Sequence, residues 1–418
     1  MVGLWKARFL STDRVTAVFP APTAYSPCLP RDSHSYYFYE FFSVMNTEIA
    51  SGTGLHATCS RSDLAAALGV VARALSSRGD VQVLSGILLQ AEEGRLLLAA
   101  TDMEISMRTS ISGEISGEAA VVVPGRLLTD LVRLLPDDSV TLTHDEGEGV
   151  LAIVSGSHSS RLNVFSAEDF PRLPPLDVSL QRIEAPALLE TIDKVGRAAS
   201  RDESRPVLTG VLVRFEGDRL IMAATDSYRL AVKETELTAA APELDAIIPA
   251  RALLELVRLA GGAEHIELGV HENYVIFSVG DAWLTSRRID GQFPNYKQLL
   301  PETFEAEITI QREALLEVVR RAGVMAQRNA PLRLRFAEGE LTISAQTQDV
   351  GEATESLPID FAGEEIEIGF NPDFLRDGLE AVASDTIQLK LINRLRPGLI
   401  CSPDESFWYL IMPIRLAG

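Results

Sequence analysis

Apolar positions along most of this chain follow two alternating periods. Around Leu64, Leu68 and Val71, then Leu189, Ile192 and Gly196, then Leu316, Val319 and Gly323, small or apolar residues fall three or four apart. That spacing gives a helix one apolar face and predicts helices over 61–73, 186–197 and 312–323. Elsewhere the pattern alternates or forms short apolar runs, as in Gly86-Ile-Leu-Leu-Gln90, Leu212-Val-Arg-Phe215 and the stretches 141–151, 265–279, 365–368 and 386–391. Turn residues at Glu92-Glu-Gly94 and Glu216-Gly-Asp218 interrupt these runs, so they predict antiparallel strands. Residues 1–54 keep neither period. They hold a Pro-rich stretch (19–30) and an aromatic cluster (36–42), with Arg14 and prolines breaking any secretion signal. They are expected to be a leader that is disordered or not native, with Met45 the more natural start.

The remainder is one unit written three times. Val83-Leu-Ser-Gly-Ile-Leu-Leu89 recurs as Val207-Leu-Thr-Gly-Val-Leu-Val213, and Leu96-Leu-Leu-Ala-Ala-Thr-Asp102 as Leu220-Ile-Met-Ala-Ala-Thr-Asp226, both 124 residues on. Leu341-Thr-Ile-Ser-Ala-Gln-Thr-Gln-Asp349 is a fainter third copy. A Pro marker opening a second helix falls at 124, 249 and 372, and Phe-Pro pairs end at 171 and 294. The domains are therefore expected at 55–178, 179–301 and 302–418, each an α+β unit of two helices and many antiparallel strands.

Catalytic constellations are missing from this pattern. Six histidines show no HxxxH or HExxH pairing, and no phosphate-binding Gly-rich loop follows a strand, so no metal and no cofactor are expected. The repeated Thr-Asp at 101–102 and 225–226 suits a strand end whose Asp caps the next turn better than a carboxylate site. Three scattered cysteines (Cys28, Cys59, Cys401) and no apolar run of spanning length imply a cytoplasmic protein away from membranes. The net charge of −21 speaks against nucleic acid, yet it is unevenly spread. The six expected helices carry 16 Lys and Arg against 12 Asp and Glu, a net of +4, leaving −25 for everything else. A single Arg on a helix is ordinarily a solvated edge. Arg126 and Arg251, like Arg133 and Arg258, occupy equal places in two copies, which points to one shared positive face able to hold a phosphate backbone.

The helix Ile248-Pro-Ala-Arg-Ala-Leu-Leu-Glu-Leu-Val-Arg-Leu259 resembles the bacterial DNA sliding clamps, the beta subunit of DNA polymerase III. So do Thr225-Asp-Ser-Tyr-Arg-Leu-Ala-Val232, Arg205-Pro-Val-Leu-Thr-Gly210, Asp290-Gly-Gln-Phe-Pro-Asn-Tyr-Lys-Gln-Leu-Leu-Pro301 and the terminal Tyr409-Leu-Ile-Met-Pro-Ile-Arg-Leu416. The resemblance covers residues 55–416. It implies a DNA-clamp fold: a head-to-tail homodimeric ring of six domains, helices lining the hole and sheets outside, encircling double-stranded DNA without sequence preference. It further implies a non-catalytic processivity subunit that recruits the replicative polymerase, the clamp loader, other polymerases and repair proteins through short apolar peptides.

Carried over residue by residue, the partner pocket comprises Leu208, Thr225, Ser227, Tyr228, Arg229, Leu230, Pro294, Gln298, Leu299, Leu410, Ile411, Met412, Pro413 and Ile414. Ser227-Tyr228 stands where the family commonly has Gly-His, and Gln298 where Arg is common, which touches ligand preference. The positive lining is expected from Arg73, Arg78, Arg126, Arg133, Lys194, Arg197, Arg201, Arg205, Arg251, Arg258, Arg320, Arg321 and Arg328. The dimer contact is expected at strand edges around Leu162 and Val164 in the first domain and Val324 and Met325 in the third. The competing reading is an enzyme or ligand-binding repeat protein that shares only the architecture.

Overall fold

The computed structural model describes residues 54–76, 81–92, 94–145, 147, 149–239, 241–326, 330–347, 351–401 and 407–416. The expected leader up to residue 53, Cys28, Arg78, Arg328 and Asp349 lie outside the described residues.

The first repeat runs β1 (Leu55–Ser60), α1 (Arg61–Val71), β2 (Gly86–Glu92), β3 (Arg95–Thr101), β4 (Ile105–Ser112), β5 (Glu114–Gly117), β6 (Ala120–Pro124), α2 (Gly125–Leu134), β7 (Ser139–His144), β8 (Val150–Ser155) and β9 (His158–Asn163). The second runs β10 (Leu180–Glu184), α3 (Ala185–Gly196), a single turn α4 (Pro206–Thr209), β11 (Gly210–Glu216), β12 (Arg219–Thr225), β13 (Arg229–Glu236), β14 (Leu244–Pro249), α5 (Ala250–Leu259), β15 (His265–Val270), β16 (Tyr274–Val279) and β17 (Ala282–Arg287). The third runs β18 (Ala306–Gln311), α6 (Arg312–Gly323), β19 (Leu332–Ala337), β20 (Glu340–Thr347), β21 (Gly351–Pro358), β22 (Ile366–Phe370), α7 (Pro372–Ala381), β23 (Thr386–Leu391), β24 (Gly398–Cys401) and β25 (Phe407–Ile411). The helices start where local chemistry lets them. Ser60 caps α1 by accepting from Asp63 N, and Asn371 caps α7 by accepting from Asp373 N and Phe374 N. Pro372 opens α7, whereas Pro124 and Pro249 end strands and sit one residue before α2 and α5.

Each repeat supplies two four-stranded halves: β1-β7-β8-β9 with β4-β3-β2-β6, then β10-β15-β16-β17 with β13-β12-β11-β14, then β18-β23-β24-β25 with β21-β20-β19-β22, and β5 adds to the first. The halves fuse across repeat boundaries. Antiparallel β17 joins β4, with Thr285 opposite Ser106, and β25 joins β13, with Leu410 opposite Leu230. The result is two eight-stranded sheets that each span two repeats, because each half offers an edge that pairing satisfies. Two edges of this kind lack a partner among the described residues, those of β9 and β21. The Val324–Met325 segment, expected as a strand edge, is instead the C-terminal turn of α6, its amides donating to Arg321 O and Ala322 O. Its helical periodicity continues that of α6, so the third repeat's edge falls to β21.

The helices pack as pairs, α1 with α2, α3 with α5 and α6 with α7. Their apolar faces close a core that runs through all three repeats. A second apolar cluster lies on the other face of the β13–β25 sheet, where Leu212, Leu230, Val232 and Leu410 are covered by Phe293, Tyr296, Leu300 and Phe304. The connector after each repeat returns to the same spot through one isolated bridge, Val122–Phe165, Ile247–Ile289 and Gly369–Ile414. Gly378 lets α7 lie directly on β25, since a Cβ there would come within 2.5 Å of the Tyr409 ring.

Candidate functional site

The second and third repeats meet at the turn after β12. Asp226 Oδ1 accepts from the amides of Tyr228 and Arg229, both at 2.9 Å, while Thr225 Oγ1 donates to Arg229 O and accepts from Ser227 N. Asp102 builds the same turn in the first repeat. The Thr-Asp pair is thus a turn device. It forces Ser227 to a φ of 80° and Met103 to 77°, a left-handed conformation that costs a side chain but not glycine. Ser227 is held there partly by Arg205, whose Nη1 donates to its hydroxyl at 3.0 Å.

Three large apolar side chains stand exposed at this junction: Tyr228 at the turn, Leu299 after β17 and Met412 after β25. Met412 N donates to Tyr228 O at 2.8 Å, which ties the segment after β25 to the turn. Ser227 and Gln298 are exposed too, and Leu208, Pro294, Pro413 and Ile414 are half-buried. Other expected pocket residues serve as support. Thr225, Leu230 and Leu410 are buried, the two leucines as floor with Tyr296. Ile411 faces the opposite side, in the main core, so it is no wall of this cleft. Strand alternation separates it from Leu410. Trp408, Phe293 and Leu300 complete the floor, and the motif 290–301 already carried two of them.

Arg229 departs furthest from its expected role. Nε donates to Asp226, Nη1 to Asp377 (2.6 Å) and Tyr409 Oη (3.2 Å), and Nη2 to Arg197 O (2.6 Å), with the Phe374 ring 4.4 Å away. It is a pin between repeats, and its side chain is only 10% exposed. The equivalent pin between the first and second repeats is Arg251, bonded to Asp102 and Arg73 O. A sequence count of helix arginines could not separate this role from a DNA-facing one.

The expected positive face divides in the same way. Lys194 is buried, paired with Glu190 and set against the Phe407 ring, so it does not present its charge to solvent. Arg73 and Arg258 share Glu255; Arg197 and Arg320 share Glu380; Arg205 holds Asp202, and Arg321 holds Glu317 and Glu355. Arg126, Arg133 and Arg201 are exposed, with no ion pair among the described residues. Glu380 is held below its ordinary value of 4.5 by the hydrogen bond from Arg320 and then by the charge of Arg197. A carboxyl whose folded value is depressed gives stability that is present above the ordinary value and lost as pH falls through the folded one. Acid titration of the Glu380→Gln variant should accordingly show a shallower loss of stability below pH 4.5 than the wild type, read by thermal melts.

Comparison with known proteins decides what kind of molecule this is. Residues 55–174, 182–295 and 297–415 match, in order, the N-terminal, central and C-terminal domain families of the DNA polymerase III beta subunit. The beta sliding clamp of Streptomyces coelicolor is 36% identical over 373 residues, covering 86% of this chain and 98% of that protein. That of Synechococcus elongatus is 37% identical over 372 residues, with the same coverage. This chain belongs to the beta sliding clamp family. Among solved structures, the Bacillus subtilis sliding clamp superposes with a TM-score of 0.81 at 26% identity, covering 87% of this chain and all of that one. A Pseudomonas aeruginosa clamp bound to griselimycin does so at 0.79 and 28%, with the same coverage.

As a beta sliding clamp the chain is an α+β, non-catalytic component of DNA replication, and the competing reading as an enzyme of shared architecture is set aside. No helix of the described residues is long and apolar enough to cross a membrane.

Proposed function

We propose that two copies of this clamp close head to tail into a ring of six domains around double-stranded DNA in the cytoplasm. One observation carries the ring: β9 and β21 are the repeat equivalents of strands that pair on both sides elsewhere in the chain, yet each pairs on one side only among the described residues. Superposing the registers makes β9 equivalent to β17 and β21 equivalent to β4 and β13. By that symmetry Arg161 stands opposite the partner subunit's Glu352, where the internal junctions have Thr285–Ser106 and Leu410–Leu230. Opposite charges facing each other across antiparallel strands favour this pairing over either strand meeting its own copy. Leu162 is buried against its own sheet, Val164 flanks it, and Val324 is exposed beside β21, which extends the contact. Arg161→Glu should raise the dimer dissociation constant by about tenfold, two weakened contacts of roughly 0.5–1 kcal/mol each, and adding Glu352→Arg should restore it. Sedimentation of the three proteins checks this; a double variant as weak as the single one refutes the register.

The helices then face the hole. Arg126 and Arg133 lie seven apart on α2, exposed and without an ion pair among the described residues, so they are the first candidates for phosphate contacts. Sliding needs contacts that hold charge without fixing position, and mobile exposed arginines provide them. Replacing both with Ala should flatten the log–log salt dependence of loading on circular DNA by roughly two units. Replacing Arg251 should change that slope less, since Asp102 already holds it. An unchanged slope in the double variant removes α2 from the DNA path.

The cleft of Tyr228, Leu299 and Met412 supports a docking role for extended apolar peptides from the replicative polymerase, the clamp loader and other polymerases and repair proteins. A Pseudomonas aeruginosa clamp of this fold is described as bound to griselimycin, which supports ligand binding by such clamps.

A further inference from the structure

Three neighbouring strands of the second eight-stranded sheet end on the same side of it. In the order β13, β25, β24, the register sets Arg229 opposite Ile411 and Ile411 opposite Gly398. The Tyr228 turn, Met412 and the residues before Gly398 therefore leave the sheet together. Those last residues are the tip of the β23–β24 hairpin. Lys390 pairs with Leu399, and the chain reverses over Asn393-Arg-Leu-Arg396. There Asn393 O accepts from Arg396 N at 3.2 Å and Asn393 Oδ1 from Leu395 N at 3.0 Å. With neighbouring strands about 4.8 Å apart, this tip stands beside Met412. Leu395 is 59% exposed on it, and Leu399 at the base of the hairpin belongs to the apolar floor of the cleft. The tip also carries charge. Arg394 and Arg396 flank Leu395, both exposed and without an ion pair among the described residues. Arg205 and Arg229, by contrast, are held by Asp202, Asp226 and Asp377. Lys297 beside Gln298 and Arg415 beside Ile414 are exposed and likewise have no ion pair among the described residues. The segment entering β18 brings Glu302 and Glu305 alongside β23, with Glu305 N donating to Leu391 O, yet no ion pair joins either to the tip among the described residues. A chain of net charge −21 thus sets four unpaired cations around one apolar cleft.

We propose that Arg394 and Arg396 make the β23–β24 hairpin a specificity element of the cleft, selecting peptides that carry Asp or Glu beside their apolar anchors. The proposal rests on the reading of the Met412 cleft as a peptide site. Leu395 extends the apolar contact surface by one strand, and the two guanidinium groups meet whatever flanks the anchors there. A guanidinium offers a carboxylate two parallel donors as well as charge, which an amide side chain cannot answer. Exposed charge pairs gain little each, so the hairpin discriminates between peptides while the apolar anchors hold them. Like-charged flanks, Lys or Arg in the peptide, are disfavoured by the same two residues.

The intact protein with labelled methionine methyls tests this, since the Met412 signal reports occupancy of the cleft. It would be titrated with acetyl-Asp-Asp-Leu-Leu-Phe-amide, acetyl-Leu-Leu-Phe-Asp-Asp-amide and the Asn counterpart of each. At low salt at least one Asp peptide should bind about fivefold tighter than its Asn counterpart, and the preference should fade at high salt. The double variant Arg394→Gln, Arg396→Gln should lose the preference and keep the affinity for the Asn peptides. Arg394→Glu with Arg396→Glu should reverse it. Both variants alter exposed side chains of a turn held by Asn393, so their melting temperatures should match the wild type. Equal affinity for Asp and Asn peptides in the wild type overturns the hairpin's role and leaves the cleft standing. A preference that survives the double Gln variant assigns it to other cations and overturns the proposal too. So does an intact preference accompanied by weaker loading on circular DNA, which would give the tip to the duplex. A Met412 signal silent to every peptide refutes the cleft itself, and the proposal with it.

Discussion

Replacing Arg229 with Ala should cost about 3–5 kcal/mol of stability, the range for breaking a buried ion pair by removing one partner. The guanidinium satisfies four acceptors on four segments: Asp226 on its own turn, Asp377 on α7, Tyr409 on β25 and the Arg197 carbonyl after α3. Its removal takes the nearest cation from two carboxylates that are 13% and 19% exposed, leaving Asp226 its two backbone amides and Asp377 only Arg376 at 3.5 Å, and takes the donor from a Tyr409 hydroxyl that burial already pushes above its usual range. Arg229→Lys should recover little, because one ammonium cannot reach a planar fork's partners together. Urea titration followed by circular dichroism measures the loss, and a deficit under about 1 kcal/mol would show that the junction is held by β13–β25 pairing alone. The variant should also loosen the Tyr228 turn, since Arg229 N is half of the Asp226 cap.

The repeat was legible in sequence because its markers are local: Thr-Asp ends a strand, Pro precedes a helix, Gly-Ile-Leu-Leu starts a strand, and each recurs at 123–125 residues. Helix 312–323 was readable to the residue for the same reason. What sequence reading missed is where repeats touch. Strand alternation says that Leu410 and Ile411 face opposite ways, yet only the register says that Leu410 meets Leu230 over the cleft while Ile411 meets the core. Charge counting found the positive helices and could not see that Lys194 is buried or that Arg251 bonds across a boundary 149 residues away. Arg108, the lone charged residue of a strand of mixed apolar and hydroxyl residues, drew no reading from sequence, and only the fold shows that it is buried and donates to the Pro174 carbonyl.

Met412→Ala should weaken a polymerase-derived clamp-binding peptide by about 1–3 kcal/mol, roughly 5- to 150-fold in affinity. The expectation rests on how the chain ends. β25 stops at Ile411 because Pro413 cannot donate to a ladder, and pairing resumes only at Ile414, whose amide meets Gly369 O at 2.8 Å. Between these anchors Met412 is fixed by its backbone bond to Tyr228, while its side chain stays 43% exposed. A thioether on a fixed backbone can adapt to different apolar partners at little ordering cost. Truncation from Leu410 onward would be a poor test, since Leu410 and Ile411 are buried strand residues and their loss damages the sheet. The point substitution leaves β25 whole, so the dimer should sediment unchanged. Calorimetry giving the same peptide affinity before and after Met412→Ala, with that dimer intact, would remove Met412 from the cleft and leave Tyr228 and Leu299 to account for docking.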